Sequence, residues 1–158
     1  MSTDVYRVSK RKHSATAFSG EGGRLSSGRW NSKGTPIVYT SATLSLAALE
    51  TFVSLEIEDA GTLFVAIGVD IPDEVEIKLL QGGNLPRGWN AIPAPEALSS
   101  IGDRWFNLRE TAVLAVPSAI IPAEYNYLLN PLHPDFPKIT IYSPAPFSID
   151  SRLWRPRR

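Results

Sequence analysis

The segment GRWNSKGTPIVYTSATLSLAALE, residues 28–50, leads from a glycine-containing loop through a strand into a helix. Its PIVYT stretch is rich in β-branched and aromatic residues, which predicts the strand. The hydroxyl groups of Thr40 and Ser41 suit the N-terminal cap of a helix over residues 42–57. Glu50 lies among the apolar side chains of this helix, where a carboxylate costs free energy unless it is paired or faces a cleft. Its position alone makes Glu50 a candidate site residue.

Further strands are predicted on both sides of this segment, at residues 4–8, 63–67, 72–80, 111–116, 139–142 and 147–149. The uninterrupted apolar run LFVAI, residues 63–67, is typical of a central strand that is covered on both faces. A second, short helix is predicted over residues 96–105. Strands outnumber helices, and no linker or repeat divides the chain. The sequence therefore predicts a single α+β domain over residues 1–158, with a mixed β-sheet core and few helices.

The stretch that precedes the PIVYT strand, residues 9–36, is rich in Gly, Ser, Lys and Arg and has too little apolar periodicity to predict a helix or strand. A loop of this length in a small domain is uncommon unless it forms a binding site or a lid. It contains Arg24, Arg29 and Trp30. We therefore expect it to form one wall of a functional site.

Composition narrows the possible chemistry. The 158 residues carry 16 Lys plus Arg and 16 Asp plus Glu, so no net positive field attracts nucleic acid or an anionic membrane. The absence of Cys excludes a thiolate nucleophile and a Cys-based zinc site, and we expect no metal. No run approaches the ~18 apolar residues of a membrane span, so a cytoplasmic location is expected. With only two histidines, whose roles the sequence leaves open, chemistry must rest mainly on Arg, Glu, Tyr and Ser.

These motifs together resemble the RES domain, a family named for its Arg, Glu and Ser residues. The resemblance extends from residues 28–50 to GDRWF at 102–106, to VPSAIIPAEYNYLLNPLHPDF at 116–136 and to FSIDSRL near the end. It implies a fold like that of the ADP-ribosyltransferases of the diphtheria-toxin kind and an activity that destroys NAD. It also implies the role of a toxin whose partner is an Xre-like antitoxin, with DNA contacted through the antitoxin only.

The resemblance assigns the family's functional residues to Arg29 of GRWN, Tyr39 of VYTS, Glu50 of ALE and Ser118 of VPS. The residue types suit cleavage of the nicotinamide–ribose bond. Tyr39 offers a flat face for the nicotinamide ring. Glu50 places negative charge near the developing oxocarbenium ion, as in glycosidases. Ser118 is expected to orient either Glu50 or the nicotinamide amide.

Arginine supplies the anion-binding part of the expected site. Arg29 is expected to hold the pyrophosphate of NAD with its guanidinium fork, and Arg7 or Arg24 to add a second contact. The loop over residues 9–36 carries two of these three arginines and adds few apolar side chains to a core. It is therefore the surface that we expect the antitoxin to close.

Several functions remain compatible with the sequence. The first is an NAD glycohydrolase that uses water, or a phosphorylase that uses inorganic phosphate as co-substrate, with no resident cofactor. The second is an ADP-ribosyltransferase that modifies a cellular protein. The third is a binding module without catalysis, whose arginines hold an anionic partner. A ribonuclease is disfavoured by the lack of a His pair and of a basic surface. The acceptor and the oligomeric state, a homodimer included, are left open.

Overall fold

The computed structural model describes residues 1–154, which form eight β-strands and three α-helices. The strands are β1 (Ser2–Lys10), β2 (Val38–Ser41), β3 (Phe64–Pro72), β4 (Ile77–Leu79), β5 (Val113–Pro117), β6 (Tyr125–Leu129), β7 (Thr140–Ile141) and β8 (Ala145–Phe147). The α-helices are α1 (Glu21–Leu25), α2 (Leu44–Phe52) and α3 (Glu96–Leu108). Short 3-10 turns occupy Arg11–Thr16, Ile57–Asp59, Gly82–Asn84, Phe136–Lys138 and Ser151–Trp154.

All eight strands belong to one mixed sheet. Its order is β4-β5-β6-β2-β1-β3-β7, and β8 also pairs with β3. β4 and β5 run parallel, whereas the other pairs are antiparallel. This arrangement confirms the predicted α+β class with a mixed sheet core. It also confirms that the LFVAI run enters an interior strand, since β3 has partners on both edges.

The sheet is weakly paired at one place, the joint between β1 and β2, and is extensively paired on both sides of it. β1 pairs with β3 at nine consecutive positions, from Ser2 opposite Pro72 to Lys10 opposite Phe64. By contrast, β1 and β2 pair at a single position, Tyr6 opposite Ser41. Few main-chain hydrogen bonds therefore join the two halves of the sheet, and a side chain can enter the joint between them.

Apolar side chains cover both faces of the sheet, because neighbouring residues of a strand point to opposite sides. Val113 and Leu129 belong to one core cluster, and Leu114 and Leu128 belong to the other. The second cluster includes Trp105 of α3, so this helix packs on that face. Every residue of β5 is buried as a result. The packed core on both faces of the sheet thus supports the ends of the central strands, where the site residues lie.

The predicted helix over residues 42–57 is too long, and its predicted cap is wrong. α2 ends at Phe52, and Val53 beyond it is 64% exposed. Thr43 caps the helix, because its side chain accepts the main-chain N–H of Leu46 at 3.1 Å. Thr40 and Ser41 are instead buried members of β2, where Thr40 donates its hydroxyl to the carbonyl of Tyr127. Pairing with β6 outweighs the local capping preference of these two residues.

Other predicted boundaries also need correction. Residues 9–36 are not one loop, because the ladder with β3 carries β1 to Lys10, and a 3-10 turn and α1 follow. The strand predicted over residues 72–80 shrinks to β4, and α3 continues beyond residue 105 to Leu108. The strand β6 was not predicted at all, although it lies between β5 and β2. None of the helices in the described part of the chain has the length and apolar character that a bilayer crossing requires.

Candidate active site

A cleft of about 500 Å³ opens where β1, β2 and α2 meet. Four of the predicted site residues line it, namely Arg7, Arg29, Tyr39 and Glu50. The fifth, Ser118, lies fully buried directly behind Glu50. The fold therefore brings together residues from a strand, a loop, a second strand, a helix and the exit of β5.

Glu50 is half-buried, and its two carboxylate oxygens have different surroundings. Oε1 accepts the hydroxyl of Ser118 at 2.7 Å and the side-chain amide of Asn126 at 2.8 Å. Oε2 receives no hydrogen bond from residues 1–154, and Glu50 forms no salt bridge with any of them. One oxygen is thus fixed by the protein, and the other remains available to a molecule in the cleft.

Ser118 acts on Glu50 rather than on the cleft itself. Its hydroxyl oxygen accepts the main-chain N–H groups of Ile120 and Ile121, each at 3.1 Å. These two donors occupy the oxygen lone pairs, so the hydroxyl hydrogen is directed to Glu50. Because Ser118 has no exposed surface, its placement fits the first of its two expected roles, orienting Glu50.

Two polar residues at the site were not predicted from the sequence. Asn126 of β6 donates to Glu50 and accepts the hydroxyl of Ser41, at 2.7 Å, on its own side-chain oxygen. Ser41 had been interpreted only as a helix cap. A signal was present, since Asn126 is a polar residue within the apolar run YNYLL, but it lay on the strand that the prediction missed.

Arg7 projects from β1 into the joint between β1 and β2. Its Nη1 donates to the main-chain carbonyl of Tyr39 at 2.8 Å, so a side chain ties the two strands there. Its Nε is buried without a hydrogen-bond partner, and no carboxylate of residues 1–154 forms a salt bridge with it. Burial removes water from this guanidinium and lowers the pKa of Arg7 to about 10. The site therefore holds a cation that has no anionic partner in the described part of the chain.

Arg29 and Arg24 differ in their positions. Arg29 is half-buried at the cleft, and its Nη1 donates to the carbonyls of Trp89 at 2.9 Å and Ala91 at 3.0 Å. It thus fastens the segment around Trp89 to the loop that carries Arg29. Arg24 is exposed on α1, lies 3.5 Å from the carboxylate of Glu21 and does not line the cleft. The structure brings Arg7, but not Arg24, beside Arg29.

Tyr39 fastens the Arg29 loop to β2. Its hydroxyl donates to Oδ1 of Asn31 at 2.6 Å and accepts the main-chain N–H of Trp30 at 3.1 Å. Burial raises the pKa of Tyr39, so the hydroxyl stays protonated. A Cβ at Gly28 would lie 2.7 Å from both this hydroxyl and Oδ1 of Asn31, which explains the glycine at the start of GRWN. The loop is held in one conformation around Arg29.

The two histidines lie outside the cleft lining. His13 is exposed in the turn after β1, and Nδ1 of His133 accepts the main-chain N–H of Asp135 at 3.0 Å. Within residues 1–154, no group of three or more His, Asp or Glu side chains is arranged to hold a metal ion. The chemistry available in the cleft is that of arginine, lysine, glutamate, tyrosine and neutral hydrogen-bonding groups.

The residues of this site all lie within the segment that matches a known protein family. A family model described as the RES domain matches residues 4–150, which include both arginines of the cleft, Tyr39, Glu50 and Ser118. The chain belongs to the RES-domain family. The family predicted from the sequence motifs is thereby confirmed.

Several relatives of this RES domain are similar over nearly their entire length. It is 39% identical over 155 residues to a protein named Toxin Res from Photorhabdus laumondii, covering 98% of this chain and 99% of that protein. It is 37% identical over 159 residues to a Prs ADP-ribosylating toxin from a Sphingobium species, with the same coverage. It is 38% identical to a Toxin Res from Yersinia enterocolitica, covering 94% and 98% of the two chains.

The fold of this RES domain is also found in a solved structure, a toxin–antitoxin complex named MbcT–MbcA from M. tuberculosis. The superposition has a TM-score of 0.73 and covers 98% of this chain and 87% of the other. The two sequences are only 16% identical, so this comparison establishes a shared architecture. It supports the observed strand order as a property of the fold rather than of one sequence.

Proposed function

We propose that this RES domain is the toxin of a toxin–antitoxin pair and that it uses NAD as substrate, breaking the nicotinamide–ribose bond. Three relatives, each 37–39% identical over nearly the full length, have names that identify them as toxins. One of those names describes ADP-ribosylation, a reaction whose donor is NAD. An Xre-like antitoxin is the expected partner of the chain.

The arrangement of Glu50 is the observation that carries the enzymatic proposal. Two donors hold Oε1, Oε2 is left without a donor from residues 1–154, and the Glu50 side chain lines the cleft. A binding module would be favoured by an exposed glutamate paired with a neighbouring cation. Glu50 is instead half-buried and forms no ion pair with the described residues. A preorganised carboxylate of this kind stabilises positive charge that develops during a reaction.

The proposed reaction follows from these charges. The bond between C1′ of the ribose and N1 of nicotinamide breaks, and its electron pair leaves with nicotinamide. The ribose becomes an oxocarbenium ion, which Oε2 of Glu50 stabilises. Water then attacks C1′ and gives up a proton, yielding ADP-ribose, or inorganic phosphate attacks and yields a phosphorylated ADP-ribose. In this proposal, Glu50 also accepts the proton from the attacking water.

The arginines would bind the pyrophosphate. Arg7 has a buried guanidinium without an anionic partner among the described residues, so an incoming phosphate would supply the missing charge. Arg29 uses Nη1 for two main-chain carbonyls, but its Nη2 and Nε donate to none of residues 1–154. A guanidinium has five N–H groups, so Arg29 can hold the loop and a phosphate together.

The second candidate function is transfer of ADP-ribose to a protein. It is favoured by the name of the Sphingobium relative, an ADP-ribosylating toxin, at 37% identity. The same bond breaks and the same residues act, but a nucleophilic side chain of the target protein attacks C1′. The two functions differ only in the acceptor.

Product analysis distinguishes these functions. The purified protein is incubated with NAD labelled in the adenosine half, with and without phosphate and with and without a cell extract. Nicotinamide release with free ADP-ribose supports hydrolysis, release only with phosphate supports phosphorolysis, and label on a protein supports transfer. Glu50→Gln, checked for an unchanged circular dichroism spectrum, is the control. Failure of the wild-type protein to release nicotinamide under every condition would contradict the proposal.

A further inference from the structure

Asn126 stands between a buried hydroxyl and the carboxylate of the site. It belongs to β6, is 8% exposed, and borders the cleft. Its side-chain nitrogen donates to Oε1 of Glu50 at 2.8 Å, and its side-chain oxygen accepts the hydroxyl of Ser41, itself 3% exposed, at 2.7 Å. Ser41, Asn126 and Glu50 thus form a short chain of hydrogen bonds from β2 to α2 by way of β6.

The direction of this chain follows from the chemistry of its members. An ionised carboxylate only accepts hydrogen bonds, so the amide nitrogen of Asn126 must face Glu50. The amide oxygen is then left facing Ser41, whose hydroxyl must donate. Each bond polarises the next in the same sense, and the chain delivers a strengthened donor to the carboxylate. Ser41 therefore stabilises the orientation of the amide that Glu50 needs.

Two hydrogen-bond donors from different parts of the sheet contact the same oxygen, Oε1 of Glu50. Ser118 follows β5 and Asn126 lies on β6, and both donate to Oε1 of Glu50. A single donor would leave the carboxylate free to turn about that bond, whereas two donors from separate directions fix its plane. The second oxygen, Oε2, is then directed away from both donors and is the atom that remains for the cleft.

We propose that Asn126, held in orientation by Ser41, is a positioning residue that fixes the ionised carboxylate of Glu50 so that Oε2 meets the substrate. Asn126 acts through Glu50 and need not touch NAD. The inference rests on the proposed function, since its readout is cleavage of the nicotinamide–ribose bond. It adds two residues to the site that neither the sequence motifs nor the comparisons single out.

The main test is a kinetic comparison of Asn126→Ala with the matched control Asn130→Ala. Asn130 is fully buried, lies one residue beyond β6, and uses its side chain for main-chain groups of Leu132 and Phe106 rather than for Glu50. We expect Asn126→Ala to lower kcat about 10- to 100-fold, the effect of one hydrogen bond to a charged group, with KM changed less than about threefold. Asn130→Ala should lower stability but leave kcat within about twofold of the wild type.

A pH profile separates positioning from a general loss of structure. Asn126→Asp places a second carboxylate beside Oε1, and two carboxylates so close cannot both be ionised near neutral pH. The acid limb of the kcat profile should move upward by about one pH unit or more, with activity partly recovered at high pH. Asn126→Ala should move the limb much less. A general loss of structure in the variants would instead lower kcat at every pH without displacing the limb.

The role of Ser41 is tested by its dependence on Asn126. Ser41→Ala should lower kcat about three- to tenfold in the wild-type background and have no further effect when combined with Asn126→Ala. If Asn126→Ala does not fold, Asn126→Asp and Ser41→Ala carry the test, because both change the side-chain volume little.

The outcomes separate the two levels of the proposal. Wild-type protein that releases no nicotinamide from NAD overturns the proposed function and this inference with it. Wild-type activity with full kcat and an unshifted pH profile in the Asn126 variants overturns the positioning role alone. Additive losses for Ser41→Ala and Asn126→Ala would overturn the assigned action of Ser41 through the amide.

Discussion

Replacing the half-buried Arg7 by methionine should stabilise the free protein while it impairs substrate binding. Burial lowers the pKa of Arg7 to about 10, well below its ordinary value, because the charged guanidinium loses water and gains no anion among the described residues. A shift of this size corresponds to about 3 kcal/mol of penalty in the folded state. Methionine has a similar length and no charge. Arg7→Met also removes the donor to the carbonyl of Tyr39, which costs about 1 kcal/mol.

The net expectation is that Arg7→Met raises the free energy of unfolding by about 2 kcal/mol, or Tm by about 4–8 °C. The pH dependence has a defined sign. Because the folded-state pKa is lowered, the penalty is fully present below about pH 10 and is relieved as pH rises above that value. The stability difference between Arg7→Met and the wild type should therefore shrink in that alkaline range.

Urea denaturation and NAD binding, measured on the same preparations, test this prediction. Arg24→Met is the matched control, since Arg24 is exposed and, among residues 1–154, forms a salt bridge with Glu21 alone. Its stability should stay within about 0.5 kcal/mol of the wild type, and its NAD affinity should be unchanged. Arg7→Met should bind NAD at least about tenfold more weakly. If Arg7→Met is less stable than the wild type, or binds NAD normally, the argument that Arg7 provides a binding site for an anionic group of the substrate is refuted.

Three further predictions concern binding, turnover and folding. Arg29→Ala should mainly weaken NAD binding, whereas Glu50→Gln should mainly lower kcat, because phosphate contacts serve the ground and transition states alike. Equal losses of affinity alone in steady-state kinetics would contradict these roles. Gly102→Ala should lower the free energy of unfolding, measured by urea titration, by about 3 kcal/mol, because a Cβ there overlaps the main-chain carbonyl of Trp30. A variant as stable as the wild type would contradict this close packing. A non-reactive NAD analogue should compete with the antitoxin for the cleft bordered by residues 9–36, and salt and Arg29→Ala should weaken antitoxin binding; simultaneous, independent binding of both would place the regulatory surface elsewhere.

The local features of the chain are readable in its sequence because they depend on neighbouring residues. The PIVYT strand, the start of an apolar helix and the placement of Glu50 on it are patterns within a few turns of chain. The RES motifs likewise combine short, contiguous stretches, and the family model matches residues 4–150 accordingly. Composition alone restricted the chemistry to arginine, glutamate, tyrosine and serine. These conclusions needed no knowledge of which segments meet.

The partners of the site residues depend on contacts that the local sequence does not specify. Ser118 and Asn126 are 68 and 76 residues from Glu50, and they reach it only because β5, β6 and β2 are adjacent in the sheet. No local period predicts that adjacency, and the missed β6 is the strand that carries Asn126. Because β2 pairs with β6, Ser41 lies in the strand rather than at the expected helix cap, and it donates to Asn126 in the hydrogen-bond chain to Glu50. Tertiary structure also left Arg7 with a buried Nε and no anion among residues 1–154, because this depends on which groups surround a side chain rather than on which residues adjoin it.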